Sequence, residues 1–303
     1  MTATETLVDR PAQPPAFQHV SVARKTRNVV ATGLVTLAFL VAVVPLIWLL
    51  VTVVGKGFHA IVSSGWWSKS QRGVLPEEFR GGVYHALFGT FAQGLVCAVI
   101  AVPLGIMAAV YLVEYGARDP IASAVRFFTD VMTGIPSIFV GIFVYTVVVL
   151  TLGSFSTFAG GLALAVLMLP IVVRAGEEIL RLVPDDLREA SYALGVPRWR
   201  TILRIVLPTA LPGLTTGVLL AVARAVGETA PLLLTAFGSQ LIVPWTKWNG
   251  AESSITYQIF VGSRQAFVAS QERAWAGALV LVLGVLALSV AARTLATRGR
   301  YQS

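Results

Sequence analysis

The chain is short of charge. Only 13% of its 303 residues are Asp, Glu, Lys or Arg, against about 25% in an ordinary soluble domain. With 56% hydrophobic residues and a mean hydropathy of +0.77 it cannot coat a soluble surface. Disorder is excluded too, because it needs low hydrophobicity and high charge. One cysteine, Cys97, lies in an apolar run, so neither an intramolecular disulfide nor a cysteine metal centre is available. His19, His59 and His85 are far apart and lack ligand spacing. No Gly-x4-Gly-Lys-Ser/Thr loop occurs, so the chain carries no Walker-type nucleotide site. The apolar segments hold no paired carboxylates and no His/Cys constellation, which leaves a membrane-embedded enzyme without support. What remains is an all-α, polytopic membrane protein.

The positive balance, +8 with a pI near 10.1, resembles that of nucleic-acid binders. No basic run of that type appears; the densest cluster is Arg24, Lys25 and Arg27. In a membrane protein the excess marks cytoplasmic loops. About 20 uncharged residues cross the hydrocarbon core at 1.5 Å per helical residue. That length predicts six spans. The first covers 29–54, after a polar segment over 1–28. The second covers the uncharged run Gly81–Val113. Val131–Val173 is uncharged over 43 residues. It is about twice the thickness a single helix needs, so it must hold two spans, with the break at Gly153–Thr157 and the third span starting near Arg126. The fifth runs from Thr209 to Phe237 and the sixth from Ala274 to Ala292.

Six spans put both termini on one side. The segments on that side hold 15 Lys/Arg and the opposite loops 7, so both termini are expected in the cytoplasm. Residues 55–83, with Trp66 and Trp67 at interface positions, then form an external loop, and 294–303 a short cytoplasmic tail.

Arg174 to Pro208 is too polar to span. Pro184 opens a helix, Asp185, Asp186 and Glu189 suit its dipole, and Leu187, Ala190 and Leu194 fall on one face. Gly195 stops it, and Pro197 starts a second helix carrying Arg198, Arg200 and Arg204 that ends at Pro208. Two alternatives stand: a plain link between spans, or a small-tipped helix (Ala190, Ser191, Gly195) that seats on a partner. Two capped helices exceed what a link requires.

Two charges lie inside span five. Arg224 sits about 22 Å along a helix entering near Thr209, with Glu228 one turn on. Each costs at least about 2.5–3.5 kcal/mol at such depth. They form either a self-satisfied intrahelical pair or part of a pathway visited by an anion, to which the guanidinium fork is suited. Arg174, followed by Glu177 and Glu178, ends span four, either as a boundary marker or as a second basic station. Asp130 reads as interfacial, and Gly134, Pro136 and Gly141 as bend and close-approach positions.

The run Glu189-Ala190-Ser191, Gly195 three residues on, then Ile205-Val206-Leu207-Pro208, resembles the EAA loop of ABC-importer permeases. Ser191 stands where that loop usually has Ala. Gly134-Ile-Pro-Ser-Ile-Phe-Val-Gly141, Arg174 with Gly176-Glu177-Glu178, Tyr111-Leu-Val-Glu-Tyr115 and Ala223-Arg-Ala-Val-Gly-Glu-Thr-Ala-Pro-Leu232 resemble the phosphate-import branch. Ala230-Pro231 is closer to its PstA-type than to its PstC-type member. The resemblance implies a type I importer architecture, with a permease core over 84–293 and a coupling loop over 175–208. It implies an ATPase-coupling role for Glu189, Ala190, Ser191 and Gly195, and a substrate-pathway role for Arg224, Glu228, Arg174 and Glu177. It also implies a phosphate cargo, a bacterial plasma-membrane location and no cofactor on this chain, ATP and Mg being held by the partner. The partners it implies are a PstC-type second permease, an ABC ATPase dimer and an external phosphate-binding protein. A permease for sulfate or molybdate, or a self-sufficient anion channel or carrier, are the alternatives. A self-sufficient carrier would not need the Glu189–Pro208 module.

Overall fold

The computed structural model describes residues 21–116, 119–242 and 249–299, with side chains as far as Thr294. Most of the polar segment expected over 1–28, and the end of the tail expected over 294–303, lie outside the described residues. Contacts divide the chain at Thr52. The first unit holds the N-terminal part of helix α1 (Val22–Val62), whose Leu, Val and Phe side chains are exposed, as a lipid-facing surface requires. The second unit holds everything else described here.

Helix α1 is longer than the expected span. Its 41 residues run through Arg24, Lys25 and Arg27 at one end and Lys56 at the other, so the loop begins at Ser63 rather than at 55. Charge sets the edge of the hydrocarbon, but it does not stop a helix, because Lys and Arg are good helix formers. Beyond Thr52 this helix packs on the last one, α10 (Val268–Gly299): His59 Nδ1 lies 3.0 Å from Glu272, and Lys56 sits 5.1 Å from the Trp275 ring centroid. Arg273 of α10 fastens the loop by donating to the carbonyls of Leu75, Pro76, Glu78 and Arg80. The Arg80 guanidinium beside Glu78 holds that carboxyl below its usual range.

The core is built from three helices, α2 (Tyr84–Tyr115), α5 (Thr157–Arg181) and α7 (Arg198–Val226). Cys97 and Ala101 of α2 meet Leu164, Met168 and Val172 of α5 and Ala221 and Ala225 of α7. Lipid is as apolar as leucine, so small residues and close van der Waals packing hold such helices together. At Gly105 a Cβ would fall 2.6 Å from Cγ1 of Val172, so α2 and α5 approach to glycine distance.

Two expected spans are broken. α3 (Pro120–Gly134), capped by the Asp119 carboxylate on the Ile121 N–H at 3.0 Å, and α4 (Ser137–Leu152) are bent by 103° at Ile135-Pro136. Pro136 has no N–H and pushes Ile135 to extended backbone, with ψ 125°, so the third expected span is sharply bent rather than one straight helix. The fifth expected span ends at Val226, and after Gly227–Thr229 a new helix, α8 (Ala230–Thr235), starts with Pro231 in its first turn. At its other end α7 runs unbroken through Pro208, where the sequence predicts a stop. A π turn over Ile202–Val206 rephases the hydrogen-bond ladder just ahead of the proline's missing donor. The coupling-loop helix is α6 (Asp185–Ala193), and α9 (Ile255–Ser263), which no sequence signal announced, is capped by Ser254. With α3 and α4 taken as one bent span, six candidate spans are present among the described residues, in an architecture without named strands.

Candidate substrate pathway and coupling surface

Both breaks open on one cavity of about 410 Å³, lined among others by Thr133 and Ser137 at the first break, Met168 and Ile171 of α5, Arg224 and Glu228. The halves that follow the breaks hold each other in place. α4 lies against α8 at Gly141, where a Cβ would fall 2.8 Å from Cα of Pro231. α5 supplies the opposite wall, and α2 stands behind it, with Cys97 Sγ 3.3 Å from Met168 Sδ. Irregular backbone at membrane depth is tolerated where it lines a wet cavity.

Arg224, near the end of α7, is exposed toward this cavity and makes no ion pair among the described residues. Glu228 is not one turn further along the same helix, as expected. It sits in the break after Gly227, half-buried, and reaches the cavity from there. The guanidinium donors are therefore not taken up by an ion pair among the described residues, and a carboxylate lines the same space.

The other two expected pathway residues are placed differently. Arg174 pairs with Asp130 of α3, so Asp130 is an ion-pair partner rather than a bare interfacial acid. Glu177 is 4% exposed and accepts from Arg126 at 2.9 Å and Arg181 at 2.5 Å. Arg126 also donates to the Leu112 carbonyl at 2.9 Å. Glu177 thus pins α3 to α5 and the end of α2, and it does not line the cavity. An acid at the end of a span gives the same sequence signal whether it faces a pore or a neighbouring arginine.

On the coupling loop, Leu187, Glu189, Ala190 and Leu194 are exposed, Leu194 by 83%. Gly195 takes φ +74°, the left-handed C′ position that ends α6. Ser191 points inward. It is buried, and its hydroxyl lies 2.8 Å from that of Thr201, tying α6 to the start of α7. Ser191 therefore shapes the loop, while the exposed surface belongs to its neighbours.

Sequence reasoning missed Glu252. It is 2% exposed; Thr157 donates to its carboxyl, and its other oxygen accepts nothing among the described residues. Burial pushes its pKa up, against a smaller opposing effect of the Thr157 hydroxyl. A carboxyl raised in the folded state favours folding while protonated, and that contribution is lost as pH rises through the raised value. Thermal unfolding of the solubilised chain from about pH 5 to about pH 8 should show stability falling, with a flatter curve for Glu252→Gln. Equal slopes would show that Glu252 is not the group responsible.

Broken spans around a cavity lined by Arg224 and Glu228, with a structured polar loop that has an exposed apolar tip, define a helical membrane permease subunit. The family model described as binding-protein-dependent transport system inner membrane component matches residues 101–301, and the chain belongs to that family. It is 49% identical over 99% of both chains to a relative named phosphate transport system permease protein PstA 1 from Mycobacterium tuberculosis (strain CDC 1551 / Oshkosh). It is 40% identical over 92% of both chains to phosphate transport system permease protein PstA of Yersinia pestis. A crystal structure of a bacterial ABC transporter involved in the import of the acidic polysaccharide alginate shares the fold, with TM-score 0.59 at 16% identity over 91% of this chain and 99% of that one.

Proposed function

We propose that the chain is the PstA-type permease subunit of an ATP-driven importer, forming half of the membrane pathway for inorganic phosphate. The observation that carries this is the Arg224 guanidinium, unpaired among the described residues, in a cavity where two spans break, with Glu228 alongside. A planar fork of donors fits a phosphate oxygen pair. Glu228 limits how tightly an anion binds, as a transporter must release what it carries. The names and identities of the relatives support the choice of phosphate among oxyanions.

In this proposal the subunit is not an enzyme and holds no cofactor. ATP and Mg belong to an ABC ATPase dimer seated on the Glu189–Gly195 surface. A PstC-type permease completes the pathway, and an external binding protein delivers phosphate. The excess of basic residues in the loops on the side of the termini supports a cytoplasmic position for both. Arg174 is engaged by Asp130 rather than standing as a free anion station.

The test is ATP hydrolysis by the complete complex in proteoliposomes, with the binding protein loaded with phosphate or offered sulfate. Stimulation and uptake with phosphate alone support the proposal. Equal stimulation by sulfate, or phosphate uptake by the chain without an ATPase, overturns it.

A further inference from the structure

Arg188, on the coupling-loop helix α6, has its side chain only 12% exposed. Its Nε and Nη2 donate to Glu114 at 3.1 and 3.0 Å, Nη1 to the Val183 carbonyl at 2.6 Å and to Asp185 at 3.0 Å, and Nη2 also to the Leu180 carbonyl at 3.0 Å. These contacts occupy all five N–H donors of a guanidinium. Glu114, in the π turn that closes α2, is 3% exposed.

Stability alone does not account for such a pair. A buried ion pair is often no better than a well-packed apolar substitute. Connectivity gives a different reason. The coupling loop is joined covalently to α5 on one side and runs into α7 on the other. α2 has no covalent tie to it, yet α2 stands behind the cavity wall, with Cys97 against Met168 and Gly105 against Val172. We infer that the Glu114–Arg188 pair is the noncovalent link through which displacement of the coupling helix reaches α2, and through α2 the α5 wall of the cavity. Both side chains are then positioning residues. They touch neither substrate nor the ATPase surface, which is formed by the opposite, exposed face of α6. The inference rests on the importer reading above, and deepens its coupling step.

A hydrogen-bonding isostere without the charge, Glu114→Gln, separates this role from mere folding. The complete complex in proteoliposomes, with phosphate-loaded binding protein, gives three readouts: ATPase co-purification, ATP hydrolysis without binding protein, and phosphate moved per ATP. The first two should match the unmodified complex, while phosphate per ATP falls about tenfold, the size of a typical coupling energy. Arg188→Lys, which keeps the charge but loses the fork, should give an intermediate ratio. An unchanged ratio in Glu114→Gln overturns the inference. So does loss of co-purification in both variants, which would make the pair a folding element. If the unmodified complex moves no phosphate, it is the importer reading that has failed.

Discussion

Replacing Arg224 with alanine is expected to lower phosphate uptake between about tenfold and a hundredfold while the complex assembles normally. A charge-assisted hydrogen bond contributes about 1.5–3 kcal/mol, and each 1.4 kcal/mol is about a factor of ten. Assembly should survive because the side chain is exposed to the cavity and has no ion-pair partner among the described residues, so its removal leaves no buried charge uncompensated. Arg224→Lys keeps a positive point charge without the planar fork and should fall between alanine and the unmodified protein. The measurement is initial uptake into proteoliposomes at fixed ATP, alongside co-purification of the partner subunits. Normal uptake by the alanine variant would remove Arg224 from the pathway. Loss of the partners would make it structural.

The cost of placing Arg224 at depth was visible in sequence, because an intramembrane charge is rare and expensive. The manner in which the fold meets that cost was not. Arg–x3–Glu reads as one helical turn, yet Gly227 ends α7 and carries Glu228 into a break. The signal was present in Gly227 and Pro231, a glycine followed by a first-turn proline, but on an apolar background it competes with the expectation of continuous span. Gly134-Ile135-Pro136 poses the same ambiguity, and there a proline kink and a 103° re-direction look alike in sequence. Turn residues did locate helix α6, because it is polar and lies between Pro184 and a positive-φ glycine, Gly195, with Pro197 opening the next helix. Which of its residues face outward was not legible. Ser191 lies inside because Thr201, ten residues on, folds back over it. Glu177, Glu114 and Glu252 share this limit. An acid's role depends on what packs against it, and for these three the partners are Arg126, Arg188 and Thr157, each distant in sequence.

The second large effect concerns Leu194. An apolar side chain 83% exposed at the tip of a polar loop, beside exposed Leu187 and Ala190, forms a surface suited to burial against another protein. Leu194→Asp is expected to weaken ATPase association at least about 30-fold, since a hot-spot side chain contributes about 2 kcal/mol or more and the variant adds a charge that must be desolvated. The chain itself should fold unchanged, because Leu194 lies outside the buried clusters. Gly195→Val tests the same surface by another route. Beyond its chain neighbours no atom of the described residues lies within 4 Å of the added Cβ, but φ +74° costs a β-branched residue at least about 1–2 kcal/mol and tilts the tip. Its effect should have the same direction as that of Leu194→Asp and be smaller. Asp186→Ala, at an exposed position in the first turn of α6, is the control that should leave association intact. Quantitative pull-down of the ATPase by each variant decides the matter. Unchanged capture by Leu194→Asp would place the ATPase contact elsewhere on the loop, and loss of capture with Asp186→Ala alone would move it to the first turn of α6.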